Sequence, residues 1–81
     1  MSVTVCFYSY FKDLAGCAQT SHDLPEGSTL EDLLNSLANR FPKMAAMNRT
    51  MLMAVGVDYQ SRDYRLKHGE EVSLFPPAQG G

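Results

Sequence analysis

The chain has 81 residues, 44% of them apolar and 20% charged, with a formal charge of −2. That length makes one small domain burying about 60% of its unfolded surface, and the composition excludes the disordered and fibrous classes. Seven basic residues scattered among nine acidic ones give phosphates no continuous cationic footprint, so no nucleic-acid partner is expected.

No apolar stretch approaches the roughly 20 residues that cross a bilayer, and Met1-Ser2-Val3-Thr4-Val5 lacks a basic leader. The expectation is a cytoplasmic protein with no membrane partner. Cys6 and Cys17 match neither a CxxC motif nor a metal-ligand pair, and His22 and His68 are isolated, so no metal site is expected and the thiols read as reduced. Asn48-Arg49-Thr50 is a chance match to a glycosylation sequon when no secretory signal accompanies it.

From Val3 to Tyr10 the residues alternate, with Val3, Val5 and Phe7 on one face and Thr4, Cys6, Tyr8 and Tyr10 on the other. This period of two predicts a half-buried strand with an unusually aromatic second face. A turn is expected at 13–17 around Gly16, then a weaker strand over 18–24 closed by Pro25-Glu26-Gly27. Leu30, Leu33, Leu34, Leu37, Ala38 and Phe41 recur at helical spacing and predict a helix over about 29–41. Ser28-Thr29-Leu30-Glu31 reads as its capping box, with Pro42 as its stop.

Residues 43–50 carry no strong signal, and the apolar run 51–57 predicts a central strand. Methionines 44, 47, 51 and 53 are read as core filling rather than a soft-metal site. A short polar strand or turn at 58–64 and a tight turn at Leu66-Lys67-His68-Gly69-Glu70-Glu71 lead to a last strand over 72–75. The resulting order, β-β-α-β-β-β, predicts an α+β fold: a mixed sheet of four to five strands with one main helix packed on one face. Val72 and Leu74 should then point inward, leaving Phe75 on the open face with Cys6 and Tyr8.

The sequence closes on Phe75-Pro76-Pro77-Ala78-Gln79-Gly80-Gly81. The prolines break the strand ladder and favour a stiff extended exit, so residues 1–75 are expected to form the domain and 76–81 an extended tail reaching roughly 20 Å. Diglycine lacks Cβ atoms and passes through narrow channels. A terminal carboxylate, ionised at neutral pH because its pKa is about 3.5, is a poor acyl donor and reacts only after activation. No phosphate-binding Gly loop or catalytic triad is legible that would activate it in cis, so the chain reads as a carrier or substrate acted on by other proteins.

The β-grasp element order, the ending LKHGEEVSLFPPAQGG and the opening VTVCFYSYFKDLAG resemble the small sulfur-carrier subunits of molybdopterin synthase, a ubiquitin-like β-grasp family often called MoaD. The resemblance spans essentially the whole chain and is most specific at Leu66–Val72, Phe75-Pro76-Pro77 and Gly80-Gly81. It implies that Gly81 is adenylated, converted to a thiocarboxylate and used to donate sulfur to cyclic pyranopterin monophosphate. Gly80, Gln79, Ala78, Pro77 and Pro76 would thread the tail, and Tyr8 and Phe75 would contact partners.

The implied partners are the large synthase subunit, in a heterotetramer, an adenylating enzyme of the ubiquitin-activating type and a sulfurtransferase. The carrier would bind no cofactor, ATP and magnesium being used by the activating enzyme, and it would not be catalytic alone. Gly56 stands where that family often has Asn, and Glu70 where Asp is common. Three other readings share the fold: a sulfur carrier for thiamine or transfer-RNA thiolation, a ubiquitin-like protein modifier, and an interaction module with an inert terminus.

Overall fold

A computed structural model of the chain describes residues 1–47 and 51–76. In chain order the elements are β1 (Ser2–Phe7), α1 (Tyr10–Ala15), β2 (Gln19–Asp23), α2 (Leu30–Arg40), a 3-10 segment (Pro42–Met47), β3 (Leu52–Val55), β4 (Asp58–Tyr59) and β5 (Glu71–Phe75). They build the predicted α+β arrangement, with one mixed sheet in the order β2-β1-β5-β3-β4. β1 runs parallel to β5 and antiparallel to β2, while β3 is antiparallel to both β5 and β4.

Strand periodicity places the core. Val3, Val5, Phe7, Val72 and Leu74 are all buried and share one cluster with Leu30, Leu33, Leu34 and Leu37 of α2. The register pairs Val5 with Val72 and Phe7 with Leu74, so the two central strands present one continuous apolar surface to the helix. Phe41 closes the end of that layer edge-on to Phe7 at 5.6 Å. Met44, Met51 and Met53 are buried in the same cluster, which is the core-filling role expected of them.

Four local expectations are corrected. The alternation of the first strand does not run to Tyr10: β1 ends at Phe7 and α1 begins at Tyr10. The break is at Ser9, whose φ of 57° and ψ of −140° lie in a region that costs a non-glycine residue about 1–3 kcal/mol. The reversal turns the fully buried Phe11 back under the sheet. Gly16 is then the left-handed C-cap of α1, its N–H donating to the Lys12 carbonyl.

The capping box sits one residue later than expected. Thr29 is the N-cap, its Oγ1 accepting from the Asp32 N–H at 3.2 Å while the Asp32 carboxylate accepts from the Thr29 N–H at 2.9 Å. Ser28 is otherwise engaged, its hydroxyl donating to the Pro25 carbonyl and its own carbonyl accepting from the Leu66 N–H. Glu31 instead pairs with Arg62 across to the 58–66 segment.

β3 stops at Val55, so Val57 is not a strand residue; it occupies the tip of a two-residue hairpin loop and is 96% exposed. Gly56 supplies the positive φ of 63° that this loop needs. Asn is the other residue that tolerates such a backbone readily, which accounts for the Gly-for-Asn difference. The last strand starts one residue early, at Glu71. The turn before it is fastened by Glu70, whose carboxylate accepts from the Lys67 N–H and the Tyr64 hydroxyl, both at 2.7 Å.

Candidate functional site

The helix-free face of the sheet is built by the half of each strand's alternation that points away from α2. Register places Cys6 beside Ser73, Ser73 beside Ala54 and Ala54 beside Tyr59. Three of these are small and buried, making a shallow floor; Tyr59 rises at its edge and is 71% exposed. The next row holds larger side chains, with Phe75 opposite Leu52 across β5 and β3. Phe75 and Tyr8 fall on this face together, as the alternation predicts: their rings stack at 4.8 Å with an interplanar angle of 12°. Tyr59 closes on the other side of Phe75 in an edge arrangement at 6.2 Å.

Such ring pairs contribute about 0.5–1.5 kcal/mol beyond area burial, yet Tyr8 remains 45% exposed and Leu52 39% exposed. The face therefore presents neighbouring apolar side chains to solvent. Pro76 follows Phe75 directly, so the chain leaves the sheet from the middle of the patch. The other expected tail residues, Pro77, Ala78, Gln79, Gly80 and Gly81, lie outside the described residues.

The described thiol on this face, Cys6, is not activated. Burial, and then the Glu71 carboxylate beside it, push the Cys6 thiol above its ordinary range, so it stays protonated and unreactive at neutral pH. On the opposite side of the sheet, the Ser36 hydroxyl lies 2.6 Å from His22 Nε2, the spacing of a nucleophile and its base. Arg40 decides against that role. Its guanidinium N–H donates to His22 Nδ1 at 3.2 Å, which leaves Nδ1 unprotonated and puts the imidazole proton on Nε2, facing Ser36. A protonated Nε2 is no base for Ser36, and the trio ties β2 to α2 instead. No group of three or more metal-ligating side chains occurs among the described residues, and no described helix is long and apolar enough to cross a membrane.

Comparison with known proteins agrees with this architecture, and residues 5–81 match the ThiS family. The chain belongs to the ThiS family. Among ThiS-like relatives, the molybdopterin synthase sulfur carrier subunit of Chlamydomonas reinhardtii is 29% identical over 84 residues, covering all of both chains. That of Arabidopsis thaliana is 24% identical over 81 residues, covering all of this chain and 84% of the relative. Among solved structures, a Pyrococcus furiosus protein provisionally named molybdopterin converting factor subunit 1 superposes with a TM-score of 0.88 at 30% identity, covering 96% of this chain and 99% of that one. SAMP1 from Haloferax volcanii, 20% identical over the full length of both chains with a TM-score of 0.85, shares the fold. So does a Helicobacter pylori chain at 20% identity and a TM-score of 0.69, also full length on both sides and solved as a complex of subunits 1 and 2 of molybdopterin-converting factor. The ThiS-family chain is thus a β-grasp protein.

Leu52 and Tyr59 belong to the aromatic face but escaped the sequence reading. The run Met51–Val57 is apolar at nearly every position and hides which residues face away from the helix, and Tyr59 sits in a polar segment. Only the pairing of β3 with β5 and β4 assigns both to this surface.

Proposed function

We propose that this chain is the sulfur-carrier subunit of a molybdopterin synthase and that Gly81 bears the sulfur. The observation that carries this reading is the end-to-end match to proteins of that name, supported by an aromatic face from which the tail departs. In the proposed cycle the Gly81 carboxylate attacks the α-phosphate of ATP on an adenylating enzyme of the ubiquitin-activating type, with magnesium bound there, and pyrophosphate leaves. A persulfide on a sulfurtransferase then displaces AMP to give an acyl disulfide, and a second thiol cleaves its S–S bond, releasing the thiocarboxylate and leaving a disulfide on the sulfurtransferase side. The tail, Pro76 to Gly81, threads into the large subunit, where the sulfur is passed to cyclic pyranopterin monophosphate, and the carboxylate is regenerated with oxygen from water.

The division of labour follows from the chemistry. The carrier offers reach and a recognition face, and the large subunit offers a closed site that shields the thiocarboxylate from water. Tyr8 and Phe75, with Leu52 and Tyr59, form the contact surface for the large subunit in a heterotetramer. Activity resides in the assembled complex, not in the carrier alone.

Deleting Gly81 is expected to leave the fold intact and to abolish sulfur transfer in a reconstituted synthase; a variant that still transfers sulfur rules the reading out. The fold shared with the Haloferax volcanii small archaeal modifier protein 1 makes intact-mass analysis of protein from its own host the second measurement. Replacement of one oxygen by sulfur at Gly81 is the carrier outcome, and isopeptide adducts on other proteins are the modifier outcome.

A further inference from the structure

We propose that the Ser9 turn and the Tyr8–Phe75 stack form a positioning clamp that fixes the direction in which the chain leaves β5 at Pro76. The proposal rests on the sulfur-carrier reading for its consequence in transfer, but the clamp itself is a property of the free chain. Among the described residues Ser9 is the one non-glycine with a positive φ. Its side chain makes no capping hydrogen bond to α1, so helix capping does not explain why a strained backbone is kept there.

What the turn does is lock Tyr8 from both sides. The Tyr8 N–H donates to the Leu74 carbonyl at 3.2 Å, carrying the β1–β5 ladder one residue beyond the end of β1. The Tyr8 carbonyl accepts from the Phe11 N–H, and the Ser9 carbonyl from the Lys12 N–H, both at 3.2 Å, so α1 starts without slack. Phe11 is fully buried, which anchors α1 to the core. The Tyr8 ring is thereby held over Phe75, and Tyr59 blocks Phe75 from the other side.

Phe75 is the last ladder residue, because Pro76 has no N–H to continue it. The direction set at Phe75 and Pro76 decides where the rest of the chain begins its path into a partner's site. A misplacement of about 1 Å is enough to cost on the order of a hundredfold in rate when a reacting group must be aligned. Tyr8 therefore acts as a positioning residue as well as a surface contact.

The test compares Tyr8→Leu with Tyr8→Phe in two measurements. In the free protein, amide order parameters by nitrogen relaxation should fall at Phe75 in Tyr8→Leu and return to the unsubstituted value in Tyr8→Phe, which keeps the stack. In the reconstituted synthase, single-turnover sulfur transfer from a preloaded carrier at saturating large subunit should drop about tenfold or more in Tyr8→Leu, with recovery in Tyr8→Phe. An unchanged saturated rate accompanied by weaker binding makes Tyr8 a docking contact only and overturns the clamp, as does an unaltered order parameter at Phe75. Loss of order at Phe75 in a protein whose unsubstituted form transfers no sulfur supports the clamp and rejects the sulfur-carrier reading.

Discussion

His22 sits between the Ser36 hydroxyl at Nε2, which can accept or donate, and the Arg40 guanidinium at Nδ1, which can only donate. A second proton on the ring would point an N–H at a cation. Burial first, and then Arg40, hold its pKa below the ordinary histidine value, with Asp23 opposing weakly from β2. The unfolded chain therefore takes up a proton near pH 6.5 while the folded chain resists it. The stability that neutral His22 contributes is complete above that pH and is lost as pH falls below it towards the depressed folded value. Urea midpoints should accordingly decline as pH falls through about 6.5, and His22→Gln should flatten that decline. Arg40 also donates to the Ser21 carbonyl and the Thr20 hydroxyl, so Arg40→Ala would remove three ties at once.

The helix α2 carries the local information that sequence expresses most clearly. Its apolar positions at 30, 33, 34 and 37 are all buried, and its start was misread by only one residue because two overlapping Ser/Thr and acidic pairs compete for the cap. Stability measurements separate them. Thr29→Ala or Asp32→Ala should lower unfolding free energy by about 1 kcal/mol, whereas Glu31→Ala should cost at most about 0.5 kcal/mol, since its ion pair with Arg62 is half-exposed. Equal losses at positions 31 and 32 would contradict the observed cap. The short helix α1 was invisible in the sequence for a different reason. Six residues offer less than two turns of periodicity, and the strained backbone at Ser9 that starts it leaves no mark in residue type, since glycine is what such a conformation normally announces. By contrast the inward and outward faces of β1 and β5 follow from alternation alone, which is why the sequence puts Tyr8 and Phe75 on one face.

At the scale of the molecule, the sheet divides the protein into a helical side that holds it together and an aromatic side that faces solvent. The sequence made half of that second side legible, Tyr8 and Phe75. Leu52 and Tyr59 depended on strand neighbours separated by long stretches of chain, and no local pattern encodes those. Tyr59 is the sharpest probe of the face, because at 71% exposed it supports little of the fold. Tyr59→Lys should change unfolding free energy by less than about 0.5 kcal/mol and yet weaken association with the large subunit about tenfold, the equivalent of about 1.4 kcal/mol. Tyr8→Lys and Phe75→Lys should weaken it as well by burying an unpaired charge. Unchanged affinity in all three would place the partner elsewhere.

The strand order has one mechanical consequence. β5, which ends in the tail, is inserted between β1 and β3 and is bonded along both edges. A pull on the tail runs along the strand, so it loads the two ladders in shear, and their hydrogen bonds resist collectively instead of unzipping in turn. The carrier cycle proposed above would have successive enzymes grip that end, and this strand placement opposes such a pull along two ladders at once.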